Sequence, residues 1–229
     1  MDLVWSGARQ ALGLLAGADR EIWAILWLSL QVSGSATVIS LALGVPAGAA
    51  LARFPGRGLL VSAVNTGMGL PPVVVGLFVT LLLWRSGPLG ELEILYTPAA
   101  IVIAQAVIAT PIVTAITLAA VGQVPREFRL QLLALGASRA QMIWLVLREA
   151  RLPMLAAVMA GFGGIISEIG ASLMVGGNIK GQTRTLTTAM VLETGKGNFE
   201  IAIALALLLL VLIFLVNWLL TAIQQRHAR

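Results

Sequence analysis

The stretch IAIALALLLLVLIFLVNWLL, residues 201–220, holds twenty consecutive residues without a single charge. At 1.5 Å per helical residue, about 20 apolar residues cross the roughly 30 Å hydrocarbon core of a bilayer. That makes the segment a membrane span and sets lipid as the solvent of the fold. Working outward, four more segments meet the same test: 22–52, 59–84, 98–121 and 152–177, the last interrupted by one acid, Glu168. Residues 1–20 carry Arg9 among alternating small and apolar residues. They read as an amphipathic segment lying on the membrane, the alternative being a sixth span. No basic n-region and small-residue cleavage site precedes the first span, so no cleaved signal peptide is read there.

Composition agrees. The chain is 59% hydrophobic and 11% charged, against about 25% charged for a soluble domain. With no Cys, and His227 as the one His, disulfides, thiolate sites and His-based metal or catalytic clusters are ruled out.

The net charge of +5 marks topology rather than nucleic acid. Segments 53–58, 122–151 and 221–229 hold nine Arg against Glu127 and Glu149, a net of +7. The opposite side holds six basic and seven acidic residues, a net of −1. The basic side is therefore expected to be cytoplasmic, with the N-terminus outside and the C-terminus inside. Trp23, Trp27, Trp84, Tyr96 and Trp218 fall near the span boundaries, where amphipathic rings prefer to sit. The expected organisation is an interfacial segment 1–20, a membrane domain 21–223 with a cytoplasmic loop 122–151, and a tail 224–229.

That loop reads GQVPREFRLQLLALGASRAQMIWLVLREAR. Pro125 opens it, Pro153 follows it, and Gly136-Ala137-Ser138 breaks it. Leu132, Leu133, Leu135, Met142 and Ile143 stand where water is expected, and apolar surface of that kind marks a partner contact. A bent helical hairpin here could insert into a groove of a soluble motor, whose movement would tilt the attached spans as rigid bodies.

At this point the chain resembles the permease subunits of ABC importers, whose cytoplasmic signature EAA-x3-G-x9-I-x-L-P docks on an ATPase. LQLLALGASRA supplies the glycine region at Gly136, and RLP at 151–153 resembles the motif's end. The acidic start is replaced by Leu130, Gln131 and Leu132, and the Gly-to-Pro interval of 17 exceeds the pattern. The resemblance implies ATPase coupling by Leu132, Leu133, Ala134, Leu135, Gly136, Ala137, Ser138 and Arg139. ISEIGASLMVGGNIKGQTRTLTTAMVLET, residues 166–194, is similar to the molybdate/tungstate class, through Glu168, Gly170, Ala171, Gly177, Asn178, Ile179, Gly181, Thr183, Thr185 and Leu186. GLPPVVVGLF at 69–78 resembles that class's Leu-Pro-Pro stretch, and the wording of 183–194 looks closest to the tungstate branch.

The resemblance implies an all-α polytopic bundle of about five spans, of the type I, molybdate/methionine-permease-like architecture. It further implies a second copy of the chain, a cytoplasmic ATPase dimer that uses ATP and Mg, an extracytoplasmic oxyanion-binding protein, and a bacterial or archaeal cytoplasmic membrane. The cargo implied is tungstate, the alternatives being molybdate or a sulfate-type oxyanion. No cofactor is expected in this chain itself. A stand-alone channel or secondary transporter would want intramembrane ionisable networks or an internal repeat. An intramembrane enzyme would want a nucleophile–base set, and neither a GxSxG nor an HExxH motif is present.

Three further features bear on a pathway. Pro71 and Pro72 remove helical hydrogen bonds, and freed backbone groups survive at that depth only if buried in protein or facing a cavity. A pathway or gate lining and a packing kink both account for them. Glu168 costs about 2.5–3.5 kcal/mol at mid-bilayer. It reads as a gating or structural acid, with Gln105 or Asn65 as partners, rather than as a direct oxyanion contact. Gly170 and Asn178 join them as pathway residues. GGNIKGQT, 176–183, nearly matches a phosphate loop, but Gln182 stands at the essential Lys position, so the phosphate charge is unmet.

Overall fold

The computed structural model describes residues 5–7, 9, 13, 20–54 and 56–227. Most of the expected interfacial segment 1–20 lies outside the described residues, as does the end of the tail.

Among the described residues three helices are long and apolar enough to cross a membrane: α1 (Arg20–Leu51), α4 (Pro98–Gly122) and the last helix, α10 (Phe199–His227). The other two spans expected from the sequence are bent pairs. α2 (Gly58–Met68) and α3 (Pro72–Leu83) meet at 96°, and α7 (Arg151–Ile166) and α8 (Gly170–Gly176) at 60°. The spans expected over 59–84 and 152–177 are broken at Pro71-Pro72 and next to Glu168. The loop 122–151 holds α5 (Arg126–Ala134) and α6 (Arg139–Glu149), and a short α9 (Leu186–Gly195) precedes α10. α10 runs through His227, past the expected start of the tail.

α4 is the hub. α1 lies along it because its contact stripe is built from small residues. A Cβ on Gly44 would stand 2.9 Å from Val113 Cβ, and one on Gly48 2.5 Å from the Thr114 carbonyl oxygen. Backbones approach this closely only across such small-xxx-small faces. Three buried hydroxyls of α1 are satisfied within the helix, since lipid offers no partner. Ser29 donates to Ile25 O at 2.8 Å, Thr37 to Ser33 O at 2.7 Å and Ser40 to Ala36 O at 2.8 Å. Ser40 also reaches Ala106 O on α4, at 3.2 Å.

Apolar clusters then stack through the thickness of the bundle. At one end Ile22 and Ile25 pack with Phe162, Leu186, Leu205 and Leu208. Val32, Val75, Val79, Ile101, Ala171 and Val175 join α1, α3, α4 and α8. At the other end Ala49, Val121, Val124 and Val146 seat the hairpin on α1 and α4. The outward face of α10, with Leu210, Phe214, Leu215 and Trp218 exposed, is suited to lipid or to another chain. α1 ends with Arg57 donating to the Leu51 and Ala52 carbonyl oxygens at 3.2 and 2.5 Å, a cation where the helix dipole favours one.

Candidate functional site

The hairpin of α5 and α6 is built by local rules. Pro125 precedes α5 in an extended conformation, as a residue lacking an N–H suits a helix start. Its last turn closes in a Schellman arrangement: Gly136 N donates to Leu133 O and Ala137 N to Leu132 O, each at 3.0 Å. Gly136 sits at φ +75°, and no atom lies within 4 Å of where a Cβ would be. The glycine is therefore required by the backbone and not by crowding. Ser138 then starts α6 with a capping box, donating its N–H to Gln141 Oε1 at 2.8 Å and accepting from Gln141 N at 3.3 Å.

Of the eight residues expected to couple to an ATPase, Leu133, Ala134, Leu135, Gly136, Ser138 and Arg139 stand exposed at the tip, and Ala137 is half-buried. Leu135 is 83% exposed. Leu132 is different: it is buried and roots α5, because the helix's narrow apolar face turns it away from water. Arg129 braces the same root, donating from Nη2 to Val121 O at 2.6 Å. Trp144 is exposed on α6 with Arg148 over its ring at 5.3 Å.

The residues expected to line a pathway form a second constellation. The two breaks sit against one another. A Cβ on Gly170 would lie 2.6 Å from Val73 Cγ2, 3.6 Å from Val73 N and 3.4 Å from Glu168 Oε1. Three residues beyond Val73, a Cβ on Gly76 would lie 2.7 Å from Ala171 Cα. Pro71, Pro72, Glu168 and Gly170 are thereby brought together. Pro72 opens α3 rather than kinking one helix, since its missing N–H falls where no intrahelical acceptor is needed. Asn178 is not with them. It lies beyond the far end of α8, roughly 10 Å of helix away, at φ +52°, donating from Nδ2 to Thr188 O at 3.2 Å.

Neither Gln105 nor Asn65 holds Glu168. Its carboxyl oxygens instead accept from the first free N–H groups of α8: Ala171 N at 3.1 Å and Ser172 N at 3.2 Å, with the Ser172 hydroxyl at 3.5 Å. The acid is 8% exposed. Buried backbone groups in a chain of this kind need partners, and this side chain supplies them at the position where the chain turns by 60°. Gln105 acts one step removed, donating to Ile165 O at 3.0 Å and to Ser172 Oγ at 3.5 Å.

Two residues absent from the sequence reading complete this network. Thr187 donates to Glu168 O at 3.1 Å, and Ser29 accepts from Leu186 N at 2.9 Å. Their one sequence signal is a buried hydroxyl in an apolar context, which many packing residues share. Thr183 and Thr185 hold the return loop. Thr183 Oγ1 donates to Gly176 O at 2.5 Å and accepts from Ile179 N at 2.9 Å, so the hydroxyl that a phosphate loop would offer is already engaged. Thr185 caps α9 in a box with Thr188. Glu21 pins the loop from outside, 2.7 Å from Lys180 and 3.5 Å from Arg184.

Comparison with known proteins agrees with this geometry. Residues 40–229 match the model of the family described as "Binding-protein-dependent transport system inner membrane component". The chain is 44% identical over 180 residues to a probable anion ABC transporter permease protein of Haloferax volcanii, covering 76% of this chain and 78% of that one. It is 37% identical over 227 residues to the tungstate uptake system permease protein TupB of Peptoclostridium acidaminophilum, covering 98% of this chain and 100% of that one. A structure of the inward-facing MetNI methionine ABC transporter superposes with a TM-score of 0.72 at 19% identity, covering 92% of this chain and 99% of its own, a likeness of fold alone. The all-α, polytopic permease architecture expected from the motifs is thus the one found, and the chain belongs to the family of binding-protein-dependent transport system inner membrane components.

Proposed function

We propose that the chain is the membrane-spanning permease subunit of an ATP-driven oxyanion importer, with tungstate as its cargo. The observation that carries this reading is the hairpin: an ordered helix–turn–helix with Leu133 and Leu135 exposed at its tip. Such a tip is an apolar knob for a groove in a motor protein. The full-length similarity to a tungstate uptake permease supports the cargo.

In this reading two copies of the chain form the route between them, and a cytoplasmic ATPase dimer, using ATP and Mg, grips the two hairpins. An external binding protein delivers the oxyanion. The chain itself performs no chemistry. The charge asymmetry supports a cytoplasmic hairpin and C-terminus, with the N-terminus outside. Coupling runs from the hairpin tip through buried Leu132 and Arg129 into α4, and from α6 directly into the broken span α7–α8. The paired breaks around Pro71, Pro72, Glu168 and Gly170 are the gate: two short helices abutting at one point re-aim with less disruption than a straight span. Selectivity falls mainly to the binding protein.

The test is to isolate the whole importer and titrate its external subunit with tungstate, molybdate and sulfate by calorimetry, then measure uptake. Tungstate is expected to bind tightest and to drive ATP-dependent uptake. Tighter molybdate or sulfate binding would reassign the cargo, and recovery of the chain with no nucleotide hydrolase would remove the importer reading altogether.

A further inference from the structure

The wall between the inner end of α1 and the hairpin carries a feature that coupling leaves unused. Pro46, Ala49 and Ala50 on α1 face Met142, Ile143 and Val146 on α6 across a cleft of about 400 Å³, within the roughly 300–1,000 Å³ of ligand sites. Its walls are apolar, yet Arg53 and Arg129 both line it. Among the described residues neither guanidinium makes an ion pair. Arg129 spends Nη2 on the Val121 carbonyl oxygen, while its Nε is buried without an acceptor. A buried cationic N–H without a partner is unfavourable, and an anionic oxygen would relieve it.

An apolar slot edged by two unpaired cations fits an amphiphile with a negative head. We propose that this cleft binds one anionic phospholipid of the inner leaflet, an acyl chain between α1 and α6 and its phosphate held by Arg53 and Arg129. A free phosphate would leave the apolar walls unfilled, and a zwitterionic lipid brings a cation of its own to a basic site. A second copy of the chain would set its own arginine-rich inner rim against this one. The location agrees, because arginines at the cytoplasmic ends of spans meet the negative surface of that leaflet. Since α6 forms one wall and Arg129 roots α5, the bound lipid braces the hairpin against α1. The proposal rests on the reading that the hairpin is cytoplasmic.

The experiment uses the full chain in lipid nanodiscs of phosphatidylcholine with or without phosphatidylglycerol, followed by native mass spectrometry of retained lipid. One phosphatidylglycerol per chain is expected to survive in preference to phosphatidylcholine. Arg53→Gln should weaken its retention about five-fold, the worth of one basic residue at an anionic surface. Ala50→Trp, placed on an exposed small residue that lines the cleft, should abolish it with helicity unchanged. Arg129→Gln is a poorer probe, since it also loosens the hairpin. Equal retention of both lipids, or retention indifferent to both variants, overturns the site. So does disulfide capture between two Ala50→Cys chains, which would make a second copy the occupant. Accessibility labelling of Ser138→Cys separates the two levels. External labelling defeats the orientation and this site with it, whereas internal labelling with unchanged retention defeats the lipid site alone.

Discussion

Gly136 provides the sharpest test of how the hairpin works. Its φ of +75° lies in the left-handed region, and the space around a Cβ there is empty. Any substitution therefore acts within the chain through the backbone alone. An ordinary L-residue pays roughly 1–2 kcal/mol to adopt that conformation, while Asn tolerates it more readily. One to two kcal/mol corresponds to about a 5–30-fold shift between the formed and opened turn. The loss is confined to two hydrogen bonds at the tip, Gly136 N to Leu133 O and Ala137 N to Leu132 O, so membrane insertion and the unfolding midpoint should hardly move. In the reconstituted importer, cargo-stimulated ATP hydrolysis and uptake should fall in the order Gly, Asn, Ala, Val. If the fit of bulk into a partner's groove governed instead, Ala would be better tolerated than Asn. Wild-type uptake by Gly136→Ala beside an impaired Gly136→Asn refutes the backbone argument, and three variants equal to the wild type refute docking by this turn.

Three other outcomes test the rest of the structure. Gly76→Leu forces a side chain against the Ala171 backbone, 2.7 Å from its first carbon, and should destabilise the paired breaks by about 1–3 kcal/mol; an unchanged thermal midpoint in detergent would deny the close contact. Glu168→Ala strips the acceptor from Ala171 N and Ser172 N and should cost about 0.5–2 kcal/mol, as other lost helix caps do. Glu168→Gln, which keeps an acceptor oxygen, should lose less, and equal losses in stability and uptake would assign the residue's importance to its charge. At the turn that follows α9, the Asn198 amide and then the Lys196 ammonium hold the Glu193 carboxyl below the usual carboxylate range. A depressed folded value gives stability that is present above the ordinary carboxylate range and lost as pH falls through the folded value. Asn198→Ala should therefore move the acid loosening of 193–198 to higher pH, read by hydrogen exchange, and an unmoved profile would dismiss the contact.

Much of this was legible in one dimension. Lipid as solvent follows from the apolar runs, because a chain with 11% charge has no polar coat to offer water. The hairpin follows from Pro125, Gly136 and Ser138, whose preferences act within one turn of the chain. The abutment of α1 on α4 was foreshadowed by Gly44 and Gly48, since only small residues let membrane helices touch. The Leu-Pro-Pro stretch and Glu168 marked the places where two spans are interrupted.

What tertiary structure alone decided is where the interrupted groups find partners. Glu168 lies near Gln105 in the network yet caps its own following helix, a choice set by the 60° turn and not by residue type. Leu132 and Leu133 are neighbours of one kind, but the folded hairpin buries the first and leaves the second exposed. Asn178 shares a motif with Glu168 and stands apart from it in space, because α8 runs between them. Ser29 meets Leu186 across 157 residues of sequence. Composition and spacing report local preference and solvent. The destination of a buried N–H is a property of distant segments packed together, and only the folded bundle specifies it.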